Sequence, residues 1–241
     1  MNILILGSSS TIGNSIAKRF SKNNKLTLIS LESSKVTKLK KECLLLGSVK
    51  VDIIECDLSS DFDIDKLKIN NIDIIFNVAS SCSSLRDNDL DPQKYKYHTL
   101  IDLLMPIKIL DNILSDRAKY ESQSKLCYVF INSIVSKINS PNFLVYSSYK
   151  TLQQQYLKRF ERKFQNTFNF INVIVGTQID RGIETKKTES LSKRIELAIN
   201  NNEKEFIFGS EGKLVYYLNN ISPLISKSLI YFKRYFFDKN K

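Results

Sequence analysis

The chain has 241 residues, is 42% hydrophobic and 25% charged, and carries four cysteines, a single histidine and a formal net charge of +11. That length suits one large core, and the few, scattered glycines and prolines mark no linker, so a single domain is expected. The lone His98 and the widely spaced Cys43, Cys56, Cys82 and Cys127, with no C-x-x-C pair, argue against a zinc site, and lysines dispersed along the whole chain argue against a dedicated nucleic-acid face.

The apolar run within MNILILGSSS is too short to span a bilayer and has no basic region before it, so neither a secretory signal nor a membrane span is expected and the chain reads as cytoplasmic. Residues 2–6 form a first strand that stops at Gly7, and TIGNSIAKRFSK then places Ile12, Ile16, Ala17 and Phe20 at helical spacing. Further strands are predicted at 25–30, 49–55, 72–80, 125–133 and 170–176. Between them lie a lysine-rich helix from Ser34, a long helix through HTLIDLLMPIKILDNILS and an amphipathic helix from Tyr146 to Phe164. Alternating strands and helices require crossover connections, which predicts an α/β, doubly wound parallel sheet with helices on both faces and a ligand crevice at the carboxyl ends of the strands. The polar clusters fall there: GSSSTIG after the first strand, Asp57 after the third, NVAS at the end of the fourth, Ser133 at the end of the fifth and GTQID after the sixth.

Two of these clusters carry chemistry. In GSSSTIG, Gly7 permits a tight turn and Gly13 close packing of helix on strand, as a pyrophosphate site at a helix N-terminus requires, while Ser8, Ser9 and Ser10 offer hydroxyls. In LVYSSYK, Tyr146 and Lys150 are four apart and share one helical face, whereas Tyr149 has no cation on its own face. A nearby ammonium favours the phenolate and makes a phenol exchange protons more readily. Ser133 precedes Tyr146 by thirteen residues and ends a strand where the crevice is expected.

These motifs resemble the shorter branch of the short-chain dehydrogenase/reductase superfamily, and the likeness runs over most of the chain. The resemblance implies a Rossmann-like fold, with Ser133 binding the substrate oxygen, Tyr146 exchanging its proton and Lys150 holding the nicotinamide ribose while tuning Tyr146. It implies dinucleotide contacts from Gly7, Ser9, Ser10, Thr11, Ile12 and Gly13, from Asp57 and Leu58, from Asn77 and Ala79, from Tyr146 and Lys150, and from Gly176 and Thr177. The sequence departs from the family pattern at Thr11, where the middle glycine of the turn is expected; at Val78 and Ser80, within the N-N-A-G motif; and at Val175, where proline is usual. Asp102 stands where the family has an Asn whose backbone carbonyl serves a proton relay behind the lysine. It either fills that role and alters the pH dependence, or is a solvated helix residue.

The resemblance implies an NAD(P)-dependent oxidoreductase reducing a carbonyl to an alcohol, and a homo-oligomer. The end of the second strand offers Ser30, Leu31, Glu32 and Lys35 with no acid directly at the strand end, which leans to NADP over NAD. The alternative is a catalytically silent dinucleotide-binding regulator or scaffold, which the departures favour and the intact Ser133, Tyr146 and Lys150 oppose. Residues 1–220 form the expected oxidoreductase domain and 221–241 a basic, amphipathic helical tail. Its aromatic and lysine residues suit peripheral contact with an anionic membrane, and equally packing against the domain or a second subunit. With the polar stretch RGIETKKTES, expected to be a substrate lid, the tail loosely resembles reductases of sugar or lipid-linked substrates in envelope polysaccharide synthesis.

Overall fold

The computed structural model describes residues 1–60, 64, 71–81, 92–119, 124–138, 144–176, 179 and 185–222. Seven strands, β1 (Asn2–Leu6), β2 (Lys25–Ser30), β3 (Lys50–Glu55), β4 (Ile74–Asn77), β5 (Leu126–Ser133), β6 (Phe168–Val175) and β7 (Glu205–Phe208), form one parallel sheet in the order β3-β2-β1-β4-β5-β6-β7. Successive residues of β1 feed opposite faces: Ile3 and Ile5 join one core with Leu28, Phe76 and Val129, and Leu4 and Leu6 join the other with Ile75, Tyr128 and Phe130. Helices α1 (Thr11–Arg19), α2 (Ser34–Leu45) and α6 (Lys186–Asn200) bury Ile16, Val36 and Leu191 in the first core. Helices α4 (Met105–Lys119) and α5 (Leu144–Lys163) bury Met105, Ile109 and Leu157 in the second. Because β1 pairs with both β2 and β4, the strand order reverses there, and a crevice opens at the carboxyl ends of the strands.

Helix α3 (Pro92–Thr99) leads into α4 through a π-helical turn, Leu100–Leu104, where the amide of Met105 reaches back to the carbonyl of Leu100. Pro106 explains the irregularity. It has no N–H to donate to the carbonyl of Asp102 four residues earlier, so the α-helical ladder is broken at that carbonyl.

The predicted strands are all present, with β4 confined to Ile74–Asn77. A seventh strand, β7, and helices α6 and α7 (Ser210–Ile221) were not anticipated; EFIF is too short to show a period, and its pairing with β6 supplies what the local pattern lacks. The second half of RGIETKKTES, from Lys186, is the first turn and a half of α6, capped by Thr185 and Thr188, and not part of a loop. Helix α7 ends at Ile221, one residue past the expected domain boundary, and the tail from 223 lies outside the described residues. Among the described residues, no helix is long and apolar enough to cross a membrane.

Gly176 closes β6 and Gly212 lies in the first turn of α7, and their backbones touch. A Cβ on Gly212 would stand 2.3 Å from the Gly176 Cα. Gly212→Ala forces the two segments apart and is expected to cost about 1–3 kcal/mol. Urea denaturation measures it; a change within about 0.3 kcal/mol would show that the contact is not needed.

Candidate active site

The first turn is built by its own hydroxyls. Gly7 has φ +82°, and a Cβ there would lie 2.8 Å from the Cα and N of Ala79, so the β4 extension is seated directly on the glycine. A Cβ on Gly13 would meet the carbonyl oxygen of Gly7 at 2.5 Å. Ser10 caps α1: its Oγ accepts from the Gly13 amide at 3.0 Å and donates to the Gly7 carbonyl at 2.8 Å. Ser8 is buried and donates to the Ile29 carbonyl. The hydroxyls of Ser8 and Ser10 are therefore engaged in holding the turn, while Ser9 is exposed. Thr11 opens α1, so its side chain stands at the start of a helix and not within the tight turn.

A cavity of about 310 Å³ joins this turn to the second cluster. Ser10, Thr11 and Ile12 line it together with Ser133, Tyr146 and Lys150, and with Val78, Ser80 and Val175. The residues that depart from the family pattern thus border the same space as those that keep it. Asn77 and Ala79 are buried. Asp57 follows β3 and is exposed, with Oδ1 accepting from the amide and hydroxyl of Ser59, and Leu58 is buried in the second core. Gly176 is half-buried, its amide donating to the Phe208 carbonyl; Thr177 lies outside the described residues.

The two tyrosines of α5 have different fates. The Lys150 Nζ lies 5.8 Å from the Tyr146 ring centroid, within cation–π range. The Tyr149 hydroxyl instead bonds the Thr99 Oγ1 of α3 at 2.5 Å. Lys150 is only 1% exposed, with Nζ 4.7 Å from the Phe130 ring centroid and 3.4 Å from the Ile131 carbonyl. Its counter-ion is Asp102, itself 1% exposed, with Oδ1 3.7 Å from Nζ. Asp102 is therefore not a solvated helix residue. Burial alone pushes its carboxyl upward, but the neighbouring His98 imidazole, the Lys150 charge and the Ser81 and Ser80 hydroxyls outweigh this and hold it below the usual carboxylate range.

The sequence profile of the short chain dehydrogenase family matches residues 1–192. The chain belongs to that family. Similar solved structures include the bulky-bulky ketone specific alcohol dehydrogenase from Comamonas testosteroni, at 18% identity and TM-score 0.74 over 86% of this chain and 85% of that one. A short-chain dehydrogenase from Sphingobium yanoikuyae in complex with NADPH aligns at 15% identity and TM-score 0.75, covering 93% and 95%. Another from Streptomyces avermitilis aligns at 13% identity and TM-score 0.78, covering 96% of both chains. No curated protein matches in sequence.

Membership makes this an NAD(P)-dependent short-chain dehydrogenase/reductase, and the cradle fits a dinucleotide: the turn's glycines sit where any side chain would collide, and Ser10, Thr11 and Ile12 of the same turn line the cavity that reaches Tyr146 and Lys150. Three groups of this short-chain dehydrogenase were not recognised in the sequence. Ser81 and His98 are buried around the Asp102 carboxylate. Behind Ser133, Asn132 accepts from the Ser133 amide and donates to Gln154 and Asn172, and Asn172 donates to Glu205 at the start of β7. Only Asn132, next to Ser133, could have been suspected from position. Among the described cysteines, Cys43, Cys56 and Cys127 are free, and burial pushes the Cys56 and Cys127 thiols up to about 12.

Because the Asp102 pKa is lowered in the folded state, its contribution to stability is present above the unfolded value of about 3.9 and is lost as pH falls through the folded pKa. Asp102→Asn leaves the buried Lys150 without its counter-ion and is expected to destabilise at pH 7 by about 3 kcal/mol. The difference from wild type narrows below about pH 4, as carboxylates of this type protonate. Thermal unfolding at both pH values reads it; an equal difference at both would remove the ion pair as its cause.

Proposed function

We propose that the protein reduces a ketone to an alcohol, with Tyr146 as the proton donor, Ser133 and Lys150 as its partners and Asp102 behind them. The observation that carries this reading is the cavity shared by the glycine turn, Ser133, Tyr146 and Lys150. The nicotinamide, when bound, supplies the hydride. The protein's own groups do the rest. Backbone amides of the turn and the start of α1 receive the pyrophosphate, with Asp57, Leu58, Asn77, Ala79, Gly176 and Thr177 completing the dinucleotide site. Lys150 holds the ribose and, as a cation beside the ring, eases release of the Tyr146 proton to the substrate oxygen. The Ser133 hydroxyl donates to that oxygen and orients it. Proton donation of this kind contributes about 10²–10⁴-fold to rate.

NADP is the preferred cofactor in this reading. Glu32, the nearest acid after β2, is exposed and paired with Lys35 at 2.8 Å, which places a cation beside the position that meets the ribose. The relative from Sphingobium yanoikuyae was solved with NADPH, in keeping with this. A keto sugar or lipid-linked ketone is the substrate class we favour, and the relative from Comamonas testosteroni, specific for bulky ketones, makes bulky ketones the first compounds to try.

The same reading includes self-association within a cytoplasmic setting. Between α4 and α5 lies a groove of about 600 Å³ lined by Leu114, Ala118, Phe160 and Phe164, of a kind that a second copy would cover. On α7, Leu214, Tyr217 and Ile221 are exposed and directly precede the basic tail, which supports peripheral contact with an anionic surface. Analytical ultracentrifugation should give a dimer or larger, and anionic vesicles should pellet the full chain and not one ending at 222. A monomer, or no pelleting, removes the respective part.

Fluorescence titration with NADPH and NADH, followed by turnover on a ketone panel, tests the main reading. Tyr146→Phe should lose at least about 10²-fold in turnover while binding NADPH as wild type does, and Tyr149→Phe should stay active. Equal losses in both would sink the assignment. Binding of neither dinucleotide by folded protein would favour the silent-regulator alternative.

A further inference from the structure

The lone histidine of the chain is buried beside the active site and has no place in the mechanism above. His98 is 3% exposed, in the last turn of α3; Asp102 follows one turn later in the π-helical segment, and Ser81, also 3% exposed, comes from the segment after β4. The Ser81 Oγ makes short contacts to both the Asp102 Oδ2 and the His98 Nδ1, and the Ser81 amide donates to the same Asp102 oxygen at 3.3 Å. The His98 Nδ1 is 3.8 Å from that oxygen.

The proton count fixes the direction of these bonds. An ionised carboxylate only accepts, so the single hydroxyl proton of Ser81 points at Asp102. The Oγ must then accept from the other side, and the group there is the His98 Nδ1. We infer that His98 donates its Nδ1–H to Ser81, locks the Ser81 hydroxyl onto Asp102, and thereby acts as the positioning residue that keeps the Lys150 ammonium charged beside Tyr146. The inference rests on the proposed role of Tyr146 and Lys150, but concerns residues outside the family's motifs.

The consequences run in one direction. Without the Nδ1–H the hydroxyl is free to turn away, and the buried carboxylate loses a donor that offsets its desolvation; its pKa rises. The Lys150 ammonium, equally buried, loses its counter-charge and its pKa falls. The Tyr146 phenol then loses its neighbouring cation, and its pKa rises. The groups facing His98 among the described residues are Asp102 from the π-helical turn, the Tyr97 ring at 5.6 Å on its own helix and, beyond Asp102, Lys150 of α5. Only the first is close enough to depend on the imidazole directly.

Two measurements test this, and neither needs a substrate. With one histidine in the chain, ¹⁵N NMR of the imidazole requires no assignment; the Nδ1–H tautomer is expected for the neutral ring, and the Nε2–H tautomer would overturn the inference. The Tyr146 phenol is then titrated by tyrosinate absorbance, as the difference between each protein and the same protein carrying Tyr146→Phe. His98→Leu and Ser81→Ala should each raise the phenol pKa by about one unit, a tenfold change in the ionisation equilibrium. The double variant should add nothing further, because both act through one bond. His98→Asn keeps a donor near the Nδ1 position without a titrating ring and should restore the wild-type value. No shift in His98→Leu or Ser81→Ala, or a shift in His98→Asn as large as in His98→Leu, overturns the inference. Should His98→Leu not fold, Ser81→Ala and His98→Asn carry the comparison. Failure of the ketone-reduction reading would show separately, as absent turnover with these titrations unchanged.

Discussion

The burial of one ammonium group governs this site. Lys150 is almost fully removed from water, and an isolated charge in that position would surrender its proton or distort the fold. The surrounding elements converge to prevent this. The fifth strand offers the Phe130 ring and the Ile131 carbonyl, and the π-helical turn brings the Asp102 carboxylate. The turn can present Asp102 because it departs from a regular helix, and it departs from one where Pro106 withholds an amide. A backbone defect and a buried ion pair are thus parts of a single arrangement.

A five-residue segment ties this arrangement to the first turn. Asn77 ends β4, Ala79 is seated on Gly7, Ser80 borders the cavity, and Ser81 bonds Asp102. The backbone contact that demands glycine at position 7 therefore also sets the distance between the helix N-terminus of α1 and the charged cluster. Tyr128 is fully buried in the second core, and burial pushes its phenol up against the lowering influence of the Asn77 and Gln153 amides. Those amides are buried without well-formed hydrogen bonds.

The fold was legible because its signals are local and periodic. Apolar runs bounded by Gly7, Asp57 and Ser133 mark strands that end in the crevice, and the spacing of Tyr146 and Lys150 places them on one face whatever surrounds them. What was not legible depends on pairs distant in sequence. Nothing near Glu205 announces that EFIF pairs with β6, or that its first carboxylate is shared by Asn172, Gln154, Lys137 and Lys158. Asp102 stood open between two roles because its neighbour Lys150 is forty-eight residues away, and only burial decides between a solvated and a paired carboxylate. In the sequence His98 stands out only as a candidate metal ligand. Pro106, four residues after Asp102, is a local signal of the irregular turn, since a proline inside a helical run implies an orphaned carbonyl one turn back.

The π-helical turn also bears on how such a sequence can change. A π turn holds one residue more than the α turn it replaces, and each residue of a regular helix turns the chain by about 100°. Deleting Leu100 or Ile101 would leave Pro106 in the run, still withholding its amide, and would shorten the four-residue spacing between His98 and Asp102. The positions of both groups relative to Ser81 would shift with it. Along this segment a substitution can be absorbed by its neighbours, whereas a change of length cannot, so the helix count itself behaves as a functional property of the chain.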